Sequence, residues 1–137
     1  MKRLLLILFS LSLLAGSVQS CKKKECPGPT KKEILADGIW RFDKVELYQN
    51  GNLNQTNNNL TAKIEFTLGG NYYYYDSSGD LADYGTYTFT EGDPDQLTIT
   101  SEGGGQPVTF QVEELTQTNM KWHYGDNSNY MLFYLVR

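Results

Sequence analysis

The chain has 137 residues and a formal net charge of −4, and a polypeptide this short holds one hydrophobic core, which excludes a two-domain enzyme. Aromatic residues make up 13% and charged residues 20%, with 13 Gly and 4 Pro, a balance that excludes disorder throughout and favours short strands joined by turns over long helices. One His and 2 Cys are too few for a Cys/His zinc centre and leave little for nucleophilic catalysis, so no metal, cofactor or catalytic residue is expected.

The first element in chain order is an export signal over residues 1–20. Lys2 and Arg3 give a positive start, Leu4 to Leu14 form an apolar run broken only by Ser10 and Ser12, and Ala15 to Ser20 are small or neutral. Such a run makes ~16 Å of helix, about half the hydrocarbon thickness of a bilayer, so a permanent span is disfavoured. Val18-Gln19-Ser20-Cys21 resembles a bacterial lipobox, with Val18, Ser20 and Cys21 matching and Gln19 larger than usual. The resemblance implies cleavage before Cys21 and lipidation of Cys21. Ordinary signal-peptidase cleavage after Ser20 is the alternative.

Residues 21–32 follow as a lipidated, solvated basic tether, with five Lys against Glu25, net +4, whereas residues 33–137 set five Lys and Arg against fifteen Asp and Glu, net −10. A basic stalk beneath an acidic head suits a membrane partner reached through lipid on Cys21 and makes nucleic acid a poor one. Lys22 rather than Asp after the anchor resembles lipoproteins sent to the outer membrane of the bacterial cell envelope. Cys26 is a thiol within the tether.

Thr30-Lys31-Lys32-Glu33 matches a capping box and, with Ile34 and Leu35, predicts one or two helical turns closed by Gly38. Helical periodicity then gives way to short alternating runs. Strands are expected over Ile39–Tyr48, Ala62–Leu68, Tyr72–Tyr75, Asp83–Thr90, Gln96–Ser101, Pro107–Leu115, Asn119–Tyr124 and Asn129–Val136, with a loop over Asn52–Asn59. Eight strands with short sequential connections close most simply as an antiparallel up-and-down barrel, the alternative being a β-sandwich. The last run is apolar on both faces, which predicts cover on both sides.

Asp37-Gly38-Ile39-Trp40 after a short helix resembles the Gly-x-Trp opening of lipocalins. Phe66…Gly70-Asn71-Tyr72, Gly85-Thr86-Tyr87, Leu97-Thr98-Ile99 and Glu114-Leu115-Thr116…Met120-Lys121-Trp122 resemble the lipocalin-like domains of small bacterial lipoproteins. The resemblance covers residues 34–137 and implies a lipocalin-like barrel over residues 33–137, with Trp40 at its closed end near Ile34 and Leu35.

Seventeen aromatic residues follow the signal, so the barrel interior is either filled or open to one small ligand. Tyr72, Tyr73, Tyr74 and Tyr75 must alternate between core and surface, and the outward pair, together with Trp122 and Tyr124, is the predicted ligand-binding surface. Asp76, Ser78, Asp80 and Asp83 read as a turn rather than a Ca²⁺ loop. His123 beside Asp126, without a nucleophile, reads as a surface or barrel-mouth residue, and Glu113-Glu114 face opposite sides of a strand. The expected function is a non-catalytic envelope binding module for a small apolar molecule or a glycan, the alternative being an accessory subunit that meets an envelope protein partner. Replacing Cys21 with Ser is expected to give an uncleaved or released protein without diacylglycerol. An unchanged mass shift and detergent partitioning in that variant would show the lipid to be elsewhere.

Overall fold

The computed structural model of the protein describes residues 27–137, so the export signal, Cys21 and Cys26 lie outside the described residues. Helix α1 spans Lys31–Ala36. Thr30 and Glu33 cap it reciprocally: the Thr30 hydroxyl accepts from the Glu33 amide at 3.2 Å and the Glu33 carboxylate accepts from the Thr30 amide at 2.7 Å. The stretch read as tether therefore ends inside the folded unit, because Lys31 also reaches across to Asp95 at 2.6 Å. Gly38, at φ +100, turns the chain out of the helix and into the first strand.

Nine strands follow: β1 Ile39–Gln49, β2 Asn52–Asn58, β3 Lys63–Phe66, β4 Asn71–Tyr75, β5 Leu81–Thr90, β6 Asp95–Ser101, β7 Val108–Leu115, β8 Asn119–Gly125 and β9 Tyr130–Val136. Every neighbour pairs antiparallel, and β1 also pairs with β9, closing an eight-stranded barrel from β1 and β3 to β9. The ninth strand, β2, runs along the same edge of β1 as β3. Residues 39–41 of β1 pair with β3 and residues 44–49 with β2. The Asn-rich stretch expected as a loop is thus a strand, built through Asn50 and Gly51, both at positive φ, which fold a tight hairpin. All seven of its residues are exposed, so no apolar alternation marked it in the sequence and main-chain pairing alone holds it. Among the described residues no helix is long and apolar enough to cross a membrane.

The barrel is packed at one end and open at the other. At the closed end Trp40, Phe66, Tyr72, Leu97, Met120, Trp122 and Leu135 lose nearly all contact with solvent, and Leu35 of α1 plugs the ring beneath them. Trp40 is held on both sides. Its indole N–H donates to the Leu35 carbonyl at 2.9 Å, and the Arg137 guanidinium lies 4.2 Å over its ring. Arg137 in turn donates to the carbonyls of Ile34 and Gln117 and pairs with Asp37 at 3.1 Å. One side chain thereby ties the end of β9 to α1 and to the β7–β8 turn.

Asp95 joins the same end. Burial raises its carboxyl, but the Lys31 ammonium and the Gly92 amide outweigh that and hold it below the usual carboxylate value. Truncating a buried Trp typically costs ~3–5 kcal/mol. Trp40→Ala is expected to lower the midpoint of urea unfolding by a matching amount, and Arg137→Ala by less. An unchanged midpoint in Trp40→Ala would show that the closed end is not the keystone of the fold.

Candidate functional site

At the open end the inward-facing residues follow from strand register. Phe42 pairs with Leu135 and Val45 with Phe133, and a bulge between Phe42 and Lys44 changes the parity, so that Val45 and Leu47 face inward while Lys44, Glu46 and Tyr48 face out. Leu47 pairs with Met131, which pairs with Tyr124 across β8. Phe110 pairs with Leu97, and Tyr74 with Ile64. The result is a shallow bowl whose aliphatic and aromatic walls are partly exposed, Tyr124 being 40% exposed, where most of the equivalent positions of the closed end are buried. Its floor is aromatic. Trp122 packs against Phe110 at 5.1 Å, Phe42 at 5.9 Å and Phe66 at 6.0 Å between ring centres. The buried Trp122 indole N–H has no hydrogen-bond partner among the described residues.

One wall of the bowl is polar. Asp83 receives the Tyr72 hydroxyl on one oxygen and the Ser101 hydroxyl on the other, each at 2.6 Å. Burial raises the Asp83 carboxyl, and the Ser101, Tyr72 and Tyr84 donors outweigh it, leaving it below its ordinary value. Burial, with Asp83 next to it, pushes the Tyr72 phenol up to about 12. At neutral pH the wall therefore holds an ionised carboxylate with both oxygens already occupied. Gly85 makes the arrangement possible, since a Cβ there would lie 2.1 Å from the Thr100 carbonyl oxygen of β6. On the opposite rim a cleft of about 180 Å³ opens beside the β8–β9 turn, lined by Leu47, Tyr124 and Met131 together with the outward Tyr48 and Tyr130.

The predicted site residues divide between inside and outside. Tyr72 and Tyr74 face inward, Tyr72 buried and Tyr74 edge-on to Phe42 at 6.0 Å. Tyr73 and Tyr75 face outward, opposite Tyr84 and Leu81 of β5. Trp122 is a core residue at the floor rather than a surface residue, and Tyr124 stands at the mouth against Phe110. The structure thus brings Tyr74, Trp122 and Tyr124 into one interior and leaves Tyr73 and Tyr75 on the outer wall. The residues that sequence reasoning missed are Val45, Leu47, Phe110 and Met131. Strict alternation from Trp40 would have turned Lys44 and Glu46 inward, and only the bulge reverses that.

Most of the outer polar groups are taken up by structure, the buried His123 Nε2 having no partner among the described residues. His123 faces outward with Nδ1 3.2 Å from Gln111 Oε1 and 4.0 Å from Glu113, its ring edge-on to Tyr130 at 4.8 Å. Asp126 accepts from the amides of Ser128 and Asn129, both at 2.7 Å, so the imagined His–Asp pair is absent. Asp76 likewise accepts from the amides of Ser78 and Asp80. Both Glu46 oxygens are occupied, one by Lys44 at 2.8 Å and the other by the Tyr134 and Tyr48 hydroxyls. Among the described residues no three His, Cys, Asp or Glu side chains gather as metal ligands would.

A family model described as a lipocalin-like domain matches residues 37–122, well over half of the chain. Comparison with curated proteins gave no match. The parity of the four-Tyr strand is directly testable. Tyr72→Ala and Tyr74→Ala are expected to destabilise by ~2–4 kcal/mol each, as buried or half-buried aromatic rings do, and Tyr73→Ser and Tyr75→Ser by under ~1 kcal/mol. Equal losses in both pairs would mean the strand is covered on both faces.

Proposed function

The chain belongs to the lipocalin-like domain family, and on that premise we propose that it is an envelope lipoprotein, carried on the outer membrane by lipid on Cys21, whose barrel mouth captures a small apolar molecule. One contrast carries this reading. Most inward residues of the closed end are buried as a packed core, Phe89 and Leu115 being partly exposed, while those of the open end, among them Val45, Leu47, Phe110 and Met131, form an apolar wall with partial access to solvent. An apolar ligand gains ~25 cal/mol for each Å² it removes from water against such a wall, without any reorganisation of the core beneath. The filled lower half limits the ligand to one that sits in the upper half. The occupied Asp83–Tyr72–Ser101 wall gives it a polar neighbour on one side. The proposed role is retention rather than chemistry, with the Ser101 hydroxyl held as a donor to Asp83 and that carboxylate shared with Tyr72.

A second reading, an accessory subunit of an envelope complex, is favoured by one feature of the outer wall. Leu81 and Tyr84 are more than half exposed beside Tyr73 and Tyr75, forming an apolar and aromatic patch on β4 and β5. Native mass spectrometry of the chain purified from membranes separates the two: a small retained mass supports capture in the mouth, and a retained polypeptide supports the subunit. The mouth itself is tested with N-phenyl-1-naphthylamine, an apolar fluorescent probe. Leu47→Asp and Met131→Asp are each expected to weaken probe binding about tenfold or more, a loss of ~1.4 kcal/mol, while Tyr73→Ser leaves it unchanged. Full binding in both Asp variants would place the probe outside the mouth.

A further inference from the structure

The mouth and the point where the tether joins the fold lie at opposite ends of the barrel. Thr30 caps α1, and α1 packs at the closed end against β3 and β7, so whatever connects Cys21 to the domain arrives beneath the plugged floor. From Cys21 to Thr30 there are nine residue steps, which reach ~30 Å when fully extended. The strands β7, β8 and β9 are 8, 7 and 7 residues long. Tilted as barrel strands are, they stand ~20 Å tall, and the turns at both ends add several Å more. For the mouth to face the anchoring membrane, the connection would have to run along the whole outside of the barrel and use nearly all of its reach.

Charge acts in the same direction. The mouth turns 76–80, 102–107 and 126–129 carry Asp76, Asp80, Glu102 and Asp126 and no Lys or Arg. The closed end sets Lys31, Lys32 and Arg137 against Glu33, Asp37, Glu91, Asp93 and Asp95, and the sequence just before it adds Lys22, Lys23 and Lys24 against Glu25, so it is the less acidic of the two ends. An anionic headgroup surface therefore repels the mouth more strongly than the closed end over a Debye length of ~8–10 Å. Leu68, 60% exposed at the tip of the β3–β4 turn, points from the same end and lines a cleft of about 280 Å³ with Pro29 and Ile34. We infer that the barrel stands with α1 and Leu68 toward an anionic bilayer and its mouth toward the aqueous side. Ligand exchange then takes place with the aqueous space and not by direct extraction from the anchoring leaflet. The inference rests on lipidation at Cys21.

The test uses the full lipidated chain with Cys26→Ser, carrying either Leu68→Cys or Ser77→Cys labelled with bimane. The chain is reconstituted into vesicles of phosphatidylethanolamine and phosphatidylglycerol that contain a headgroup spin-labelled quencher lipid. Both positions are exposed turn residues, and Gln117→Cys and Asn127→Cys report the same two ends should either variant fold poorly. The expected result is quenching several-fold stronger at Leu68→Cys than at Ser77→Cys. Equal quenching, or stronger quenching at Ser77→Cys, overturns the orientation while leaving the anchor intact. A chain that neither floats with the vesicles nor carries the mass of a diacylglycerol overturns the anchor, and the orientation with it.

Discussion

Everything in this barrel depends on β1 being paired along both edges at once. One edge takes β3 and then β2, the other takes β9, and without that second pairing the sheet would stay open with two bare edges. Closure sets a geometric condition that a regular strand does not meet over eleven residues. The bulge between Phe42 and Lys44 meets it by inserting a residue and reversing which side chains face in. Below the bulge β1 contributes Trp40 and Phe42 to the core. Above it β1 contributes Val45 and Leu47 to the mouth and sends Lys44 and Glu46 to the outer wall, where they pair with each other and with Tyr134.

The same strand explains why one end is packed and the other is not. At the closed end three separate pieces of chain converge on Trp40: α1 through the Leu35 carbonyl, the end of β9 through Arg137, and β3 through Ile64. Their convergence removes Trp40 and Leu35 from water altogether. At the other end Leu60 and Ala62 of the β2–β3 connection pack against the core, but Val45, Leu47, Tyr124 and Met131 keep partial access to solvent. The capacity to bind follows from this asymmetry, with the packed half providing rigidity and the open half providing apolar surface.

What could be read in the sequence was whatever is local or periodic. Thr30 and Glu33 specify their cap within one turn, and Ile64, Phe66 and Tyr72 lie on the inward face as alternation requires. Tyr87 and Leu97 are likewise buried. Non-local features were illegible. β2 has no buried side chain to announce it, and it exists because β1 extends far enough to pair with it. The parity of Val45 and Leu47 depends on a bulge imposed by closure with β9, ninety residues away in the chain to within a few. Leu132 is 7% exposed on the outward face of β9, covered by neighbours such as His123 and Tyr130 and not by another layer, so the apolar character of that strand on both faces has a lateral cause.

The central claim is that an apolar molecule enters the open half of the barrel and stops at the aromatic floor. Methyl-resolved NMR of the Leu, Val, Ile and Met side chains during titration with N-phenyl-1-naphthylamine tests it most directly. The account predicts saturable shifts at Val45, Leu47 and Met131, with Leu35, Leu97 and Leu135 unmoved. Shifts confined to Leu53, Leu68 and Leu81 on the outer surface, or spread evenly through the closed end, would contradict it.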